Sequence, residues 1–163
     1  MARPFASRRY VLPSCTLEKL TRPEAQDLAE ILVTIDPWRT LGYRAEVFAA
    51  YLARPDSNLR RFAIRSAGDL AGAVCLRYPW LRGVYLETLA IFPPHQGAGL
   101  GQEVMAFIER QARPHTKNFW TAVSSFNQRA RRFYESLGFV ETAQLQDLVT
   151  DGYDEILLRK VMV

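Results

Sequence analysis

One domain of the α/β (α+β) class, built on a single mixed sheet, is what this sequence predicts. Strand-like runs outnumber helical ones, the two types alternate in the second half, and 163 residues at 48% apolar and 23% charged give one core of ordinary size. A chain of this length buries about 68–70% of the surface its unfolded form exposes, without staples or metals. No repeat, linker or low-complexity tract divides residues 1–163, so the whole chain is read as one domain.

Each element has a local reason. Residues 10–16 read as a short strand after a polar lead-in, and Arg22-Pro23-Glu24 opens a helix with proline in its first turn. Leu28, Ile31, Leu32 and Ile35 form that helix's apolar stripe, and Asp36-Pro37-Trp38-Arg39 stops it. A second helix over residues 45–53 carries Val47, Phe48, Tyr51 and Leu52 and ends before Pro55. The period then changes: residues 62–64 and 70–78, separated by Ala67-Gly68-Asp69, read as a hairpin. Residues 84–92, almost wholly apolar or aromatic between Gly83 and Pro93-Pro94, read as a central strand covered on both faces. A helix follows in which Leu100, Val104, Phe107, Ile108 and Ala112 share a face, then a strand over 119–124. Asn127 caps a helix through Leu137 that Gly138 ends, and residues 139–145 and 153–161 finish the chain as strands joined by an acidic turn.

Charge and composition exclude several classes. The net charge is +4, and all the basic residues but Lys19, Lys117 and Lys160 are arginine. They are scattered and accompany no nucleic-acid motif, so nucleic acid is not an expected partner. Cys15 and Cys75 lie far apart with no CxxC spacing, and His95 and His115 are isolated, so neither a disulfide framework nor a metal site is expected. No run of 18 apolar residues exists, and Arg3, Arg8 and Arg9 precede no apolar segment; a soluble cytoplasmic protein without a membrane partner is expected.

Two segments carry chemistry. Gln96-Gly97-Ala98-Gly99-Leu100-Gly101 lies between the predicted strand and helix, where backbone N–H groups at a helix N-terminus favour phosphate. Its spacing is neither GxxxxGK[ST] nor GxGxxG, which excludes the P-loop hydrolases and leaves a phosphate cradle or a close-packing turn. In the second segment, Asn127 and Tyr134 lie two helical turns apart on one face, with Ala130 between them and Gly138-Phe139 after them.

Together these segments resemble the GCN5-related N-acetyltransferase (GNAT) superfamily. Its acyl-coenzyme A loop, [Gln/Arg]-x-x-Gly-x-[Gly/Ala], is matched by Gln96, Gly99 and Gly101 after Leu89-Ala90-Ile91, and its later segment by Asn127, Ala130, Tyr134, Gly138 and Phe139. The resemblance implies a central mixed, mostly antiparallel sheet of six to seven strands with about four helices, its central strands splayed to admit the pantetheine arm. It implies acetyl-CoA as acetyl donor, held by Leu89, Ala90, Ile91, Gln96, Gly97, Ala98, Gly99, Leu100, Gly101, Asn127, Arg129 and Tyr134. The backbone of Leu89 and Ile91 would pair with the arm, and the N–H of Ile91 would donate to the thioester oxygen. Gln96 and Ala98 stand where many members have basic residues, which shifts phosphate binding toward backbone amides, helped by Arg129, Arg131 or Arg132.

Transfer to an amine needs a base, because an alkylammonium with pKa near 10.4 is charged at neutral pH. Glu87, the only carboxylate in residues 84–92, is the candidate; strict alternation would put it on one face with Tyr85, Leu89 and Ile91. Tyr134 is the candidate acid for the departing thiolate. The acceptor site implied by the resemblance draws on Trp38, Tyr43, Tyr78 and Glu87, with Arg39, Phe48, Tyr51, Trp80 and the acids Asp147, Asp151, Asp154 and Glu155 around them. Aromatic rings beside carboxylates suit a cationic amine, either a small molecule or a protein amine. The alternative is a non-catalytic acyl-CoA-binding sensor on the same fold. Homodimerisation through a sheet edge is common in the family, and nothing in the sequence fixes it.

Overall fold

The computed structural model describes residues 3–163. Eight strands form one sheet in the order β1-β2-β3-β4-β5-β6-β8-β7. They are β1 (Arg9–Val11), β2 (Thr16–Lys19), β3 (Leu59–Ser66), β4 (Asp69–Trp80), β5 (Gly83–Ile91), β6 (Asn118–Ser124), β7 (Val140–Thr150) and β8 (Tyr153–Val161). Four α-helices connect them among the described residues: α1 (Arg22–Leu32), α2 (Ala45–Ala53), α3 (Leu100–Ala112) and α4 (Gln128–Ser136). Every pairing is antiparallel except β5 with β6, so the sheet is mixed and mostly antiparallel, as expected.

Eight strands rather than six or seven arise at the N-terminal end. The expected single strand over 10–16 is two short strands, because Pro13 cannot donate to a ladder and the chain reverses there, with the Leu12 N–H bonded to the Cys15 carbonyl at 2.8 Å. Helix α1 also stops earlier than its apolar stripe suggested, at Leu32, leaving Ile31 37% exposed and Ile35 in the following loop. Its start is a capping box: the Thr21 side chain accepts from the Glu24 N–H and the Glu24 carboxylate accepts from the Thr21 N–H at 3.0 Å.

Two cores flank the sheet. On one face α3 and α4 pack on Leu17, Phe62, Ile64, Val74, Leu76, Val84, Leu86 and Phe119; on the other α1 and α2 pack Leu28, Leu32, Phe48 and Leu52 on Ala73, Cys75 and Ala90. Both cysteines are buried thiols, and burial pushes Cys15 up to about 11 and Cys75 up to about 12. Among the described residues no helix is long and apolar enough to cross a membrane, and no group of three or more His, Cys, Asp or Glu could hold a metal ion.

Candidate active site

The site begins where two central strands part. β5 pairs with β6 only at Val84↔Phe119, Tyr85↔Trp120 and Leu86↔Thr121, after which β6 continues along β8 and β5 along β4. A β-bulge accompanies the divergence: against β4 the register passes from Cys75↔Thr88 to Leu76↔Leu86, leaving Glu87 as an extra residue. A bulge bends its strand and resets which face each later side chain takes. The Phe92 N–H is bonded to the Ala71 carbonyl on the β4 side at 2.8 Å, so alternation turns the main-chain groups of Ile91 and Leu89 toward the gap.

The gap floors a groove of about 700 Å³. Leu89, Ala90 and Ile91 line it from β5, Gln96, Gly97, Gly99, Leu100 and Gly101 from the loop and α3, and Asn127, Arg129 and Tyr134 from α4 and its cap. The residues that the motif assigned to acyl-coenzyme A thus converge on one wall system, with one exception. Ala98 is exposed between two left-handed glycines and is not part of the groove wall. Trp38, His95 and Phe133 also line the groove; Trp38 was foreseen only as an acceptor residue, and nothing in the spacing marked the other two.

The loop's backbone meets the requirements of an anion site. Gly97 and Gly99 sit at φ 81° and 80°, and Gly99 is the N-cap of α3 without a side-chain cap, so no cap side chain occupies the first amides of α3 at the positive end of the helix dipole. Gln96 is clamped: its amide donates to the Ile91 carbonyl at 2.8 Å, and its oxygen accepts from Arg129 at 2.8 Å. Arg129 is thereby fixed beside the loop, whereas Arg131 is turned to Ser125 and Glu141. Gly99→Val would force a β-branched residue into the left-handed region, a strain of about 1–3 kcal/mol, so coenzyme A affinity by calorimetry should fall roughly 10- to 100-fold with the far-UV spectrum unchanged.

A second cavity of about 160 Å³ adjoins the groove. The two share Pro37, Trp38, Leu89, Asn127, Ala130 and Tyr134, so they meet at the Leu89–Tyr134 junction. Tyr43, Tyr85, Glu87, Thr121, Ser124 and Glu155 line the smaller one, and Leu148 and Val149 of β7 close its side. The Thr150 hydroxyl donates to the Leu41 carbonyl at 2.8 Å, tying the α1–α2 loop to β7 across this cavity.

Glu87 reaches the small cavity on the face of Tyr85, as alternation predicted, but not on that of Leu89 and Ile91. The bulge keeps it with Tyr85 on the α2 side, where Tyr51 donates to it at 2.6 Å, while Leu89 and Ile91 pack toward the opposite core. Its other oxygen accepts from Arg77, which also bonds Asp56 at 3.0 Å. Tyr51 therefore supports Glu87 from beneath instead of lining either cavity, and burial drives its hydroxyl far above the ordinary phenol range.

Trp38 and Tyr43, expected at an acceptor site, both line the small cavity. Tyr78 does not: it packs against the α3-side core, edge-on to His115 at 6.3 Å, and lines neither cavity. The long β4 strand carries it past the site, which no local pattern marks. Trp80 stacks on Tyr85 at 4.4 Å and so steadies a wall residue. Of the acids near the last turn only Glu155 lines the cavity; Asp147 accepts from the Gly152 N–H and Asp154 accepts from Gln144, outside it.

Asn127 and Tyr134 do as their spacing proposed. The Asn127 oxygen accepts from the Ala130 N–H at 3.2 Å, which leaves its amide N–H groups for a ligand. Burial pushes Tyr134 up to about 12, with the Thr121 hydroxyl offsetting part of the shift, so it stays protonated at neutral pH. Burial likewise raises Glu155 above the ordinary carboxylate range, against the lowering effect of the Ser124 hydroxyl.

Known proteins resemble this chain in sequence and in fold. A family model described as the acetyltransferase (GNAT) family matches residues 24–139. Streptothricin acetyltransferase of Streptomyces lavendulae is 29% identical over 104 residues, covering 60% of this chain and 55% of that protein. The L-amino acid N-acyltransferase MnaT of Escherichia coli (strain K12) is 38% identical over 65 residues, 39% of this chain and 38% of that protein. This chain thus spans about half or less of the length of these two curated relatives. The solved structure of nourseothricin acetyltransferase superposes with a TM-score of 0.60 at 27% identity, over 68% of this chain and 70% of that one. With splayed central strands, a glycine loop capping a helix, and a family match over more than half its length, the chain belongs to the GNAT family of acetyltransferases.

Proposed function

We propose that this protein transfers an acetyl group from acetyl-CoA to a primary amine. The observation that carries the reading is the junction of two cavities at Leu89 and Tyr134: a long groove ending in a glycine-loop anion site, and a small acidic and aromatic cavity. The donor supplies an activated acetyl thioester; everything else is positioning and proton management by this chain. Backbone amides from Gly97 to Gly101 and Arg129 hold phosphate, and the freed main-chain groups of Leu89 and Ile91 align the arm. Leu89 lines both cavities and Ile91 only the groove, about 7 Å further along β5, so the donor to the thioester oxygen is the N–H of Leu89 and not that of Ile91.

Tyr134 donates a hydrogen bond to the sulfur. With its hydroxyl at about 12, full transfer to a thiolate whose acid has pKa near 8.5 is uphill by about 5 kcal/mol, so stabilising the departing charge is its main contribution. Trp38, Tyr43 and Tyr85 with the two carboxylates suit a small cationic amine as acceptor. The test is thermal shift with acetyl-CoA, followed by thiol release with propylamine, cadaverine and glycinamide as acceptors. Release with at least one amine is expected; binding without release for all three would favour a sensor.

A further inference from the structure

The geometry points to Glu155, and not Glu87, as the group that takes the proton from the acceptor amine. This rests on the acetyl-transfer reading above. Both carboxylates line the small cavity, yet their surroundings differ in kind. Glu87 has one oxygen on the Arg77 guanidinium and the other on the Tyr51 hydroxyl. Both oxygens are thus taken by donors, with the Arg77–Glu87 pair lying between side chains only 22% and 15% exposed, and neither is free to receive an amine proton. Glu87 therefore attracts an ammonium without being a useful base.

Glu155 is 6% exposed and forms no ion pair among the described residues. It stands opposite Ser124 in the β6–β8 ladder, and that hydroxyl donates to Oε1 at 2.7 Å. Among the described residues no buried side-chain polar atom lacks a partner, so Oε2, which has no protein donor, reaches the cavity surface. The titratable groups facing it are Tyr43 from the α1–α2 loop, Tyr85 and Glu87 from β5, and Tyr134 from α4, with no cation among them. An unpaired carboxylate in this setting has the raised basicity of a functional group instead of the fixed charge of a structural one.

An N–H bond of the bound ammonium breaks and its proton passes to Oε2 of Glu155; the freed nitrogen lone pair forms the N–C bond to the acetyl carbon as the carbonyl π electrons move to oxygen; these electrons re-form the carbonyl as the C–S bond breaks and its electron pair leaves with sulfur beside Tyr134, and the second proton lost by the nitrogen passes to that thiolate, giving the amide and the free thiol. Glu155 then returns its proton to solvent.

The experiment is the pH dependence of kcat and KM for wild type, Glu155→Gln, Glu87→Gln and Ser124→Ala, using whichever of the three amines is turned over. Glu155→Gln should lower kcat about 100-fold at pH 7.5 with the KM for acetyl-CoA unchanged, and the deficit should close as pH approaches the amine's own pKa, where no base is needed. Ser124→Ala removes a donor to the carboxylate and should move the acidic limb to higher pH. Glu87→Gln should raise the amine KM and leave that limb in place. A wild-type profile in Glu155→Gln, or loss of the limb in Glu87→Gln, overturns the proposal while leaving acetyl transfer intact. Acetyl-CoA binding without turnover of any amine by wild type overturns the acetyl-transfer reading and this assignment with it. Glu155→Gln should unfold at or above the wild-type temperature at pH 7.5; if it does not fold, an acidic limb unmoved by Ser124→Ala overturns the assignment.

Discussion

Tyr134→Phe should lower kcat for acetyl transfer by roughly 100- to 1000-fold while changing the KM for acetyl-CoA by less than about twofold. The substitution removes one hydroxyl and keeps the ring. That ring is packed edge-on to Phe133 at 5.2 Å and to Phe139 at 5.6 Å, and phenylalanine preserves both contacts, so groove shape and stability should hold. What is lost is the donor at the junction of the two cavities, where negative charge develops on sulfur. The pH profile separates this from a role as base. Because the hydroxyl sits near 12, it is protonated throughout the working range, and its removal should lower the whole profile without moving the acidic limb. Steady-state kinetics by thiol release, with the amide product followed by mass spectrometry, gives both numbers. A variant that keeps the wild-type kcat would remove Tyr134 from the chemistry.

The largest effect on stability is expected at Phe119. It is fully buried at 0% exposure on β6, the strand that joins the β5 side of the sheet to the β8 side, and its ring meets Phe139 at 5.1 Å. Phe119→Ala leaves a cavity between α3 and the sheet that flanking strands cannot close, a cost of about 3–5 kcal/mol. Against a total of about 5–15 kcal/mol for a domain, that is at least about a fifth of the folding free energy, or about 10 °C in Tm at this chain length. The urea midpoint should drop with the m-value unchanged. Val11→Ala is the control: it is 73% exposed on an edge strand and should stay within about 0.5 kcal/mol of wild type. Equal effects at the two positions would mean that this core is not the one holding the domain together.

Several features were legible because their causes are local. Gly138 ends α4 in the left-handed conformation expected of a terminating glycine, and Asn127 caps that helix. Helix α2 runs over Ala45–Ala53 and α3 over Leu100–Ala112, as their apolar periods predicted. The lining of the long groove could be foreseen nearly residue by residue, apart from Ala98, since it comes from two short segments, residues 89–101 and 127–134, each read by local pattern. The acceptor cavity could not, because it is assembled from the α1–α2 loop, β5, β6, α4, β7 and β8. Only packing shows that Tyr78 lies elsewhere and that Tyr85 and Ser124 belong to the cavity.

What the amino-acid order determined alone, then, was the α/β class, the glycine loop at the start of α3 and the Asn127–Tyr134 face, all set by backbone conformation and helical period within short segments. The tertiary structure decided the partition of the carboxylates. Alternation along β5 cannot anticipate a bulge at Glu87, whose existence depends on how β4 pairs beside it. Nor can sequence spacing reveal that Arg77 and Tyr51 occupy both oxygens of Glu87 while Glu155, 68 residues later by number, lines the same cavity without an ion pair among the described residues. Basicity is a property of the surroundings, through desolvation and neighbouring charge, and those are known only once the chain has folded.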